Sequence, residues 1–373
     1  MPRCATAAAA LALSLLPALA AATFSSPLFQ RFHAAHVAAL RAPAAALPAA
    51  ALPPAQYFSQ TLDHFDVTPD AAAPQWLQRF WVNASLWAGG DGPVFLYIEG
   101  EGAGSAYSVV SGEHVELAAS YGALLVSLEH RFYGASIPTP DLTTASMRYL
   151  SSHQALADLA NFYAAHLAPA FNLTRRNKLV TFGGSYPGAL SAWARLRLPH
   201  IVHGAVSSSS PVQSSFDDQS YNDQVAASLS YPLVGGSPAC LAATTAAFAA
   251  MDAAFAGAPS QRSAMAAKLS SCTDLSQRND TMWAASNYGG FVQGLVQYNL
   301  EAGGYSIASF CAAMTAPGAA PIDAFAGVIK TSQGGQCLDN SYADYLAQLA
   351  NTTADPSAGG LGLRAWTWQC CTQ

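Results

Sequence analysis

Apolar residues fall first into short runs and later into helix-spaced stripes. The segment Arg79-Phe80-Trp81-Val82 is aromatic and β-branched and suits a strand. Three short apolar runs follow it: Pro93 to Ile98 (PVFLYI), Ala123 to Leu128 (ALLVSL) and Lys178 to Phe182 (KLVTF). Their length and β-branched content predict buried parallel strands. Between the last two runs, Ala155, Leu159, Phe162 and His166 recur at helical spacing and predict a helix from about Ser151 to Leu167. A further apolar segment, Ile201 to Val206, follows another helical pattern. Strands alternating with helices predict an α/β fold with a doubly wound sheet. After Pro211 the pattern changes. From about Ser214 to Ala350 the chain is Ala-rich and helical, and this region reads as a helical insertion carried on the sheet domain. The composition shifts again towards Gln373, where Trp366 and Trp368 stand close together.

The start of the chain has another character. Arg3 precedes an apolar run from Ala5 to Ala20 with small residues through Ala22, the pattern of a secretory signal peptide over 1–22. Residues 23–55 are Ala- and Pro-rich, show little periodicity and read as a lead-in or propeptide, with order beginning near Tyr57. No later segment reads as an uninterrupted membrane span.

Composition narrows the class. The chain has 373 residues, of which 51% are hydrophobic and only 10% charged, a balance that implies extensive burial. The net charge is -6, with 16 basic against 22 acidic residues, so no surface for nucleic acid is expected. Four sequons begin at Asn83, Asn172, Asn279 and Asn351 and suit a glycoprotein of the secretory route. Of seven cysteines, Cys4 leaves with the signal peptide. Cys240, Cys272, Cys311, Cys337 and Cys371 are candidates for a disulfide framework whose pairing the sequence leaves open. Adjacent Cys370 and Cys371 are poor partners for each other because the bridge geometry would be strained. No metal or cofactor is expected: there is no phosphate-binding Gly-Lys motif and no H-E-x-x-H.

The sharpest chemical signal is Thr181-Phe182-Gly183-Gly184-Ser185-Tyr186-Pro187-Gly188. It has a strand pattern before it and a helical pattern after it. Hydrolases present a nucleophilic serine on such a strained strand-to-helix turn, usually written G-x-S-x-G. Here the second glycine falls one place late, at Gly188, and Pro187 stands where it is usual. Proline is tolerated in the first turn of a helix, where a missing N–H costs nothing. Ser185 is therefore the candidate nucleophile, and the backbone N–H of Tyr186 the candidate oxyanion donor. The loop Gly100-Glu101-Gly102, directly after PVFLYI, is positioned to supply the second donor and to approach substrate closely. An ordinary Gly-rich turn with a surface serine is the alternative. His130 follows the ALLVSL strand, at the end where ligands bind in open α/β sheets, and is either a crevice residue or a hydrogen-bonded structural histidine.

Several segments carry a family resemblance: QTLDHFD (60–66), LYIEGEG (96–102), SLEHRFYGASIP (127–138), YLSSHQALADLANF (149–162), FGGSYPGALSAWARLRLPH (182–200), SSSSPV (207–212) and WTWQCCT (366–372). Together they resemble the serine peptidase family that includes lysosomal Pro-Xaa carboxypeptidase, dipeptidyl peptidase II and thymus-specific serine protease, and look most like the last. The resemblance implies an α/β-hydrolase domain over 56–213, a helical cap over 214–350 and the start of a return to the hydrolase domain over 351–373. It implies cleavage of peptides near proline at their ends, with Ser185 as nucleophile, in a secreted, lysosomal or vacuolar protein. It places the triad Asp and His beyond the W-x-W-Q element, in segments this sequence does not contain, so both, with the C-terminal part of the hydrolase domain, are expected to be absent from the chain. After Ser185 the only histidines are His200 and His203, too near the nucleophile in sequence to serve as a late-arriving base. A fragment, a splice form and an inactive homologue all fit that expectation. A non-catalytic peptide-binding glycoprotein and an esterase or lipase on the same fold are the competing functions. Oligomeric state is not legible.

Overall fold

The computed structural model describes residues 26–45, 52–66, 74–213, 219–300, 305–354 and 362–373. The expected signal peptide (1–22) lies outside the described residues, as do 23–25 and 46–51 of the lead-in. The chain divides into two compact units, Leu40–Ser214 with Gln348–Gln373, and Met1–Ala39 with Ser215–Ala347. Helix α1 (Pro27–Ala45) opens the described chain, and its part through Ala39 belongs to the second of these.

The first unit is an α/β domain built on a six-stranded sheet. Its strands are β1 (Gln56–Thr61), β2 (Gln75–Asn83), β3 (Val94–Ile98), β4 (Leu124–Leu128), β5 (Leu179–Gly184) and β6 (Val202–Ser208), in the order β1-β2-β4-β3-β5-β6. Strands β4, β3, β5 and β6 run parallel, and β1 and β2 add an antiparallel edge. Helices α2 (Glu113–Tyr121), α3 (Ser152–Phe162) and α4 (Tyr186–Arg197) make the crossovers. All of β4 is buried, as expected for a parallel strand covered on both faces. In β2, Trp76, Gln78 and Phe80 are buried on one face, the period-2 signature of a half-covered strand. Strand β1 is an edge, largely exposed, so its sequence QYFSQT carries no apolar run to announce it. Helix α3 starts where Ser151 accepts the Gln154 N–H, and continues through a π-helical turn at Tyr163–Leu167.

The strand order fixes where a site can form. From β3 the chain crosses to β4 on one side, and from β5 it crosses to β6 on the other. The loops after β3 and β5 therefore leave adjacent strands in opposite directions and open a crevice at their carboxyl ends. Those loops hold Gly100-Glu101-Gly102 and Ser185.

The second unit is helical: α5 (Ser220–Ser230), α6 (Pro238–Ala256), α7 (Pro259–Lys268), α8 (Arg278–Gln297), α9 (Ile307–Met314), α10 (Pro321–Ser332) and the start of α11 (Tyr342–Ala350). Proline opens α6, α7 and α10 in the first turn, where its missing N–H has no intrahelical partner to lose. Phe248, Tyr288, Phe291, Phe310 and Phe325 form its core. The final helix, α12 (Leu363–Thr372), belongs to the first unit.

Three expectations are corrected here. The Ala/Pro-rich lead-in is not featureless: in α1, Leu28, Phe29 and Phe32 are buried against α8. Gly290 and Gly294 of α8 make room for it, since an added Cβ would lie 2.7 Å from Ser26 Oγ or 2.8 Å from the Phe32 ring. The surrounding alanines dilute that stripe in the sequence. Helix α6, at 19 residues, is long and apolar enough to cross a membrane by length and composition alone. Its Ala247, Phe248 and Met251 pack into the helical core, and Cys240 in its first turn is bridged to Cys311. Finally Cys371, a disulfide candidate, is unpaired among the described residues, as is Cys370. The bridges formed are Cys240–Cys311 and Cys272–Cys337, spanning 71 and 65 residues. Both close long loops, so Cys240→Ala/Cys311→Ala is expected to lower unfolding free energy by about 2–5 kcal/mol, read from urea unfolding under non-reducing conditions. A midpoint equal to that of the parent would refute this.

Candidate active site

Ser185 caps the N-terminus of α4 with φ 59° and ψ -131°. A non-glycine residue held there costs about 1–3 kcal/mol and persists only where its surroundings over-determine it. Those surroundings are visible. The Ser185 N–H donates to the Ser208 carbonyl at 2.9 Å, and Ser207 Oγ donates to the Gly188 carbonyl at 2.8 Å, tying the turn to the end of β6. The displaced glycine is explained by the same crossing. A Cβ on Gly183 would lie 2.3 Å from the Pro187 carbonyl oxygen, and one on Gly188 would lie 2.0 Å from Ser210 Oγ and 2.9 Å from the Gly183 oxygen. Backbone meets backbone where β5 passes the first turn of α4, and the contact falls at Gly188.

Ser185 is half-buried, and its hydroxyl makes no hydrogen bond with any described residue. Tyr186 is the first residue of α4, a position whose N–H has no acceptor within the helix. The expected second oxyanion loop is in contact with this turn, since a Cβ on Gly100 would lie 2.3 Å from Pro187 Cγ. Gly102 has open space around it, so only Gly100 is required by close packing.

Glu101, between them, is partly exposed, and burial pushes its carboxyl up to about 7. It lies within electrostatic reach of Tyr97, Tyr133 and Tyr186. Below that pH Glu101 is neutral; above it, it carries a negative charge within electrostatic reach of Tyr186, the candidate oxyanion donor. We expect kcat/KM to fall about three- to tenfold as Glu101 ionises, the order of one unit charge acting across a partly screened gap. Glu101→Gln should remove that fall and keep the acid-side rate, in profiles taken from about pH 5 to about pH 9. An unchanged alkaline limb in Glu101→Gln would contradict it.

The histidines are sorted by their partners. His203 is exposed, with Nε2 3.2 Å from Lys178 Nζ. It sits five residues before Ser208, which pairs with Gly184, and so lies about 16 Å of strand length from the nucleophile's end of the sheet. His200 is exposed in the preceding turn. His130 is buried and hydrogen-bonded. Its Nδ1 lies 2.7 Å from the Arg131 carbonyl, which can only accept, so Nδ1 carries the proton. Burial pushes the ring down to about 4, leaving it neutral, so Nε2 accepts from the Tyr186 hydroxyl at 3.0 Å.

Around His130, the segment Glu129–Gly134 is a polar hub that sequence reasoning did not resolve. Buried Glu129 takes the Arg79 guanidinium at 2.5 Å, the Gly104 N–H at 2.8 Å and the Ser136 hydroxyl at 2.7 Å. Gly134 has φ 56°, and a Cβ there would lie 2.0 Å from Glu129 Oε1. Arg131 grips Asp158 of α3 at 2.7 and 2.6 Å and donates to the Leu62 and Tyr149 carbonyls. His64 shares Asp158 at 2.8 Å. From α12, Gln369 Nε2 donates to the Tyr186 hydroxyl at 2.9 Å, and Gln369 Oε1 accepts from the Tyr133 hydroxyl. The W-x-W-Q motif was the available signal for Gln369, but nothing in its spacing names the partner.

Of the glycosylation candidates, Asn172, Asn279 and Asn351 are exposed, whereas Asn83 is half-buried with Nδ2 donating to the Val109 carbonyl at 2.9 Å. Among the described residues no cluster of His, Cys, Asp and Glu is arranged to hold a metal ion.

Comparison with known proteins places the chain in a family. The chain is 38% identical to human thymus-specific serine protease over 326 residues, 85% of this chain and 62% of the relative. It is 37% identical to the mouse protein of that name, over 85% and 63%. Human lysosomal Pro-X carboxypeptidase is 34% identical over 159 residues, 42% of this chain and 31% of that protein. The chain thus spans about three fifths of the length of the first two. The model of one family, described as serine carboxypeptidase S28, matches residues 60–373, from the end of β1 through the elbow to α12, and the chain belongs to that family.

Proposed function

We propose that this chain carries the nucleophile and oxyanion site of a serine exopeptidase that cleaves peptides near proline at their ends. The observation that carries the reading is Ser185 itself. It is a non-glycine residue at φ 59° on a strand-to-helix turn, at a sheet switch point, with the free N-terminus of α4 behind it. Serine Oγ would attack the scissile carbonyl, and the Tyr186 N–H with one from the Gly100–Gly102 loop would hold the developing oxyanion. A serine hydroxyl needs an adjacent base to act. No described histidine bonds Ser185, so the reading assigns the base to a residue outside those described. The preference for proline rests on the relatives' names. Peptides are the proposed substrate class, and no cofactor enters the chemistry. The two disulfides support a secretory route, to the outside of the cell or to a lysosome or vacuole.

The unpartnered Ser185 hydroxyl also supports a second reading, peptide binding without turnover. A fluorophosphonate probe with a panel of Pro-containing peptides and simple acyl esters separates them. Labelling at Ser185 with release of residues next to proline is the expected result. Peptide binding without labelling would establish the second reading, and ester hydrolysis without peptide hydrolysis would point to an esterase.

A further inference from the structure

Tyr186 and three side chains around it form one directed hydrogen-bond chain. His130 Nδ1 donates to the Arg131 carbonyl, so Nε2 must accept, and the Tyr186 hydroxyl is its donor. The Tyr186 oxygen then accepts from Gln369 Nε2 at 2.9 Å, which sets the Gln369 amide. Its Oε1 in turn accepts from Tyr133. Reversing the amide would leave Nε2 of His130 without a donor, so each direction follows from the last. His130, Tyr133, Tyr186 and Gln369 are all buried. Two edge-on contacts complete the clamp, with the Tyr186 ring 5.8 Å from Trp366 and 5.5 Å from His130.

We propose that this chain is a positioning device: Gln369, Tyr133 and His130 hold Tyr186 so that its backbone N–H stays aimed at the oxyanion. The proposal rests on the reading of Ser185 as nucleophile. Its physical basis is that one residue carries both groups. Ring and N–H of Tyr186 move together when the backbone between Ser185 and Tyr186 rotates. That backbone is held in a strained conformation, which relaxes unless its neighbours over-determine it. The Ser208 carbonyl fixes the Ser185 side of the turn, and the clamp fixes the Tyr186 side. Through Gln369, α12 then acts on the reaction without touching substrate.

The test is Tyr186→Phe and Gln369→Met, each in the full-length protein. We expect kcat to fall about 10- to 100-fold, short of the 10²–10³ lost with an entire oxyanion donor, and KM to move less than about twofold. Affinity for a peptide aldehyde, whose tetrahedral adduct fills the oxyanion position, should fall by the same factor, while affinity for a product peptide holds. If a single variant misfolds, a variant with all four groups made apolar (Tyr133→Phe, Gln369→Met, Tyr186→Phe, His130→Phe) removes the orphaned partners and restores packing. A low kcat in that folded variant supports positioning; a parental kcat overturns it, as does a parental kcat in either single variant. Ser185→Ala separates the two levels. If it abolishes turnover and labelling while the clamp variants stay fully active, only positioning fails. If turnover survives in Ser185→Ala, or the parent neither turns over nor labels, both fail.

Discussion

Ser185→Ala is expected to abolish fluorophosphonate labelling and to lower kcat by about 10⁵- to 10⁶-fold, the scale seen when an acyl-transfer nucleophile is removed. KM for the residual activity should change little, since the hydroxyl contributes to bond making and not to peptide binding. The fold should survive. Ser185 is half-buried, its hydroxyl bonds no described residue, and alanine keeps the backbone N–H that meets Ser208. Alanine suffers the same strain as serine at φ 59°, so stability should shift by only a few tenths of a kcal/mol. Measuring kcat together with thermal unfolding checks both halves. Turnover within tenfold of the parent would refute the assignment of the nucleophile.

The second large effect is on stability. Arg131→Met is expected to lower unfolding free energy by about 3–5 kcal/mol, because it strands the Asp158 carboxylate in the interior. Arg131 is fully buried, Asp158 is 1% exposed, and the guanidinium also satisfies carbonyls of Leu62 and Tyr149. His64 alone would remain beside the carboxylate at 2.8 Å. Pairing the change with Asp158→Leu should recover part of the loss, since replacing a whole buried ion pair costs far less than breaking it. A double-mutant cycle in urea reads the coupling. If the two single losses simply add, the pair is not the unit we describe.

The hub explains why the proposed positioning device and the stability of the fold would meet in one short segment. Glu129 anchors the loop after β4 to β2 through Arg79, Arg131 anchors it to α3 and the end of β1, and His130 points to the elbow. Glu129, Arg131 and Asp158 are buried and each is paired, so the loop has little freedom to drift. That rigidity is what a strained turn next door requires.

The main strands and the elbow were legible because their signals are local. PVFLYI, ALLVSL and KLVTF announce buried strands by themselves, and Gly183 and Ser185 mark a turn through constraints acting over a few residues. The family resemblance extended this to the helical character of the second unit and to a serine chemistry. Strand β1 was not legible as a strand, since an edge needs no apolar run. Helix α1 was missed because alanine masks its Leu28, Phe29 and Phe32 stripe. Pro187 looked like a departure from the elbow pattern, and only the crossing of β5 with α4 shows that Gly188 is where the chain needs a missing Cβ.

What the sequence by itself determined, then, is which of the main segments form strands and helices, β1 and α1 excepted, and which serine sits on a sharp turn. Backbone sterics and side-chain periodicity set these within a few residues. What only the tertiary structure decided is partnership. Gln369 meets Tyr186 across 183 residues, Cys240 selects Cys311 rather than another cysteine, and His130 is buried as the hydrogen-bond partner of Tyr186. No local rule contains such pairs. They exist because the path of the sheet brings distant segments to one place, where each buried donor must find an acceptor.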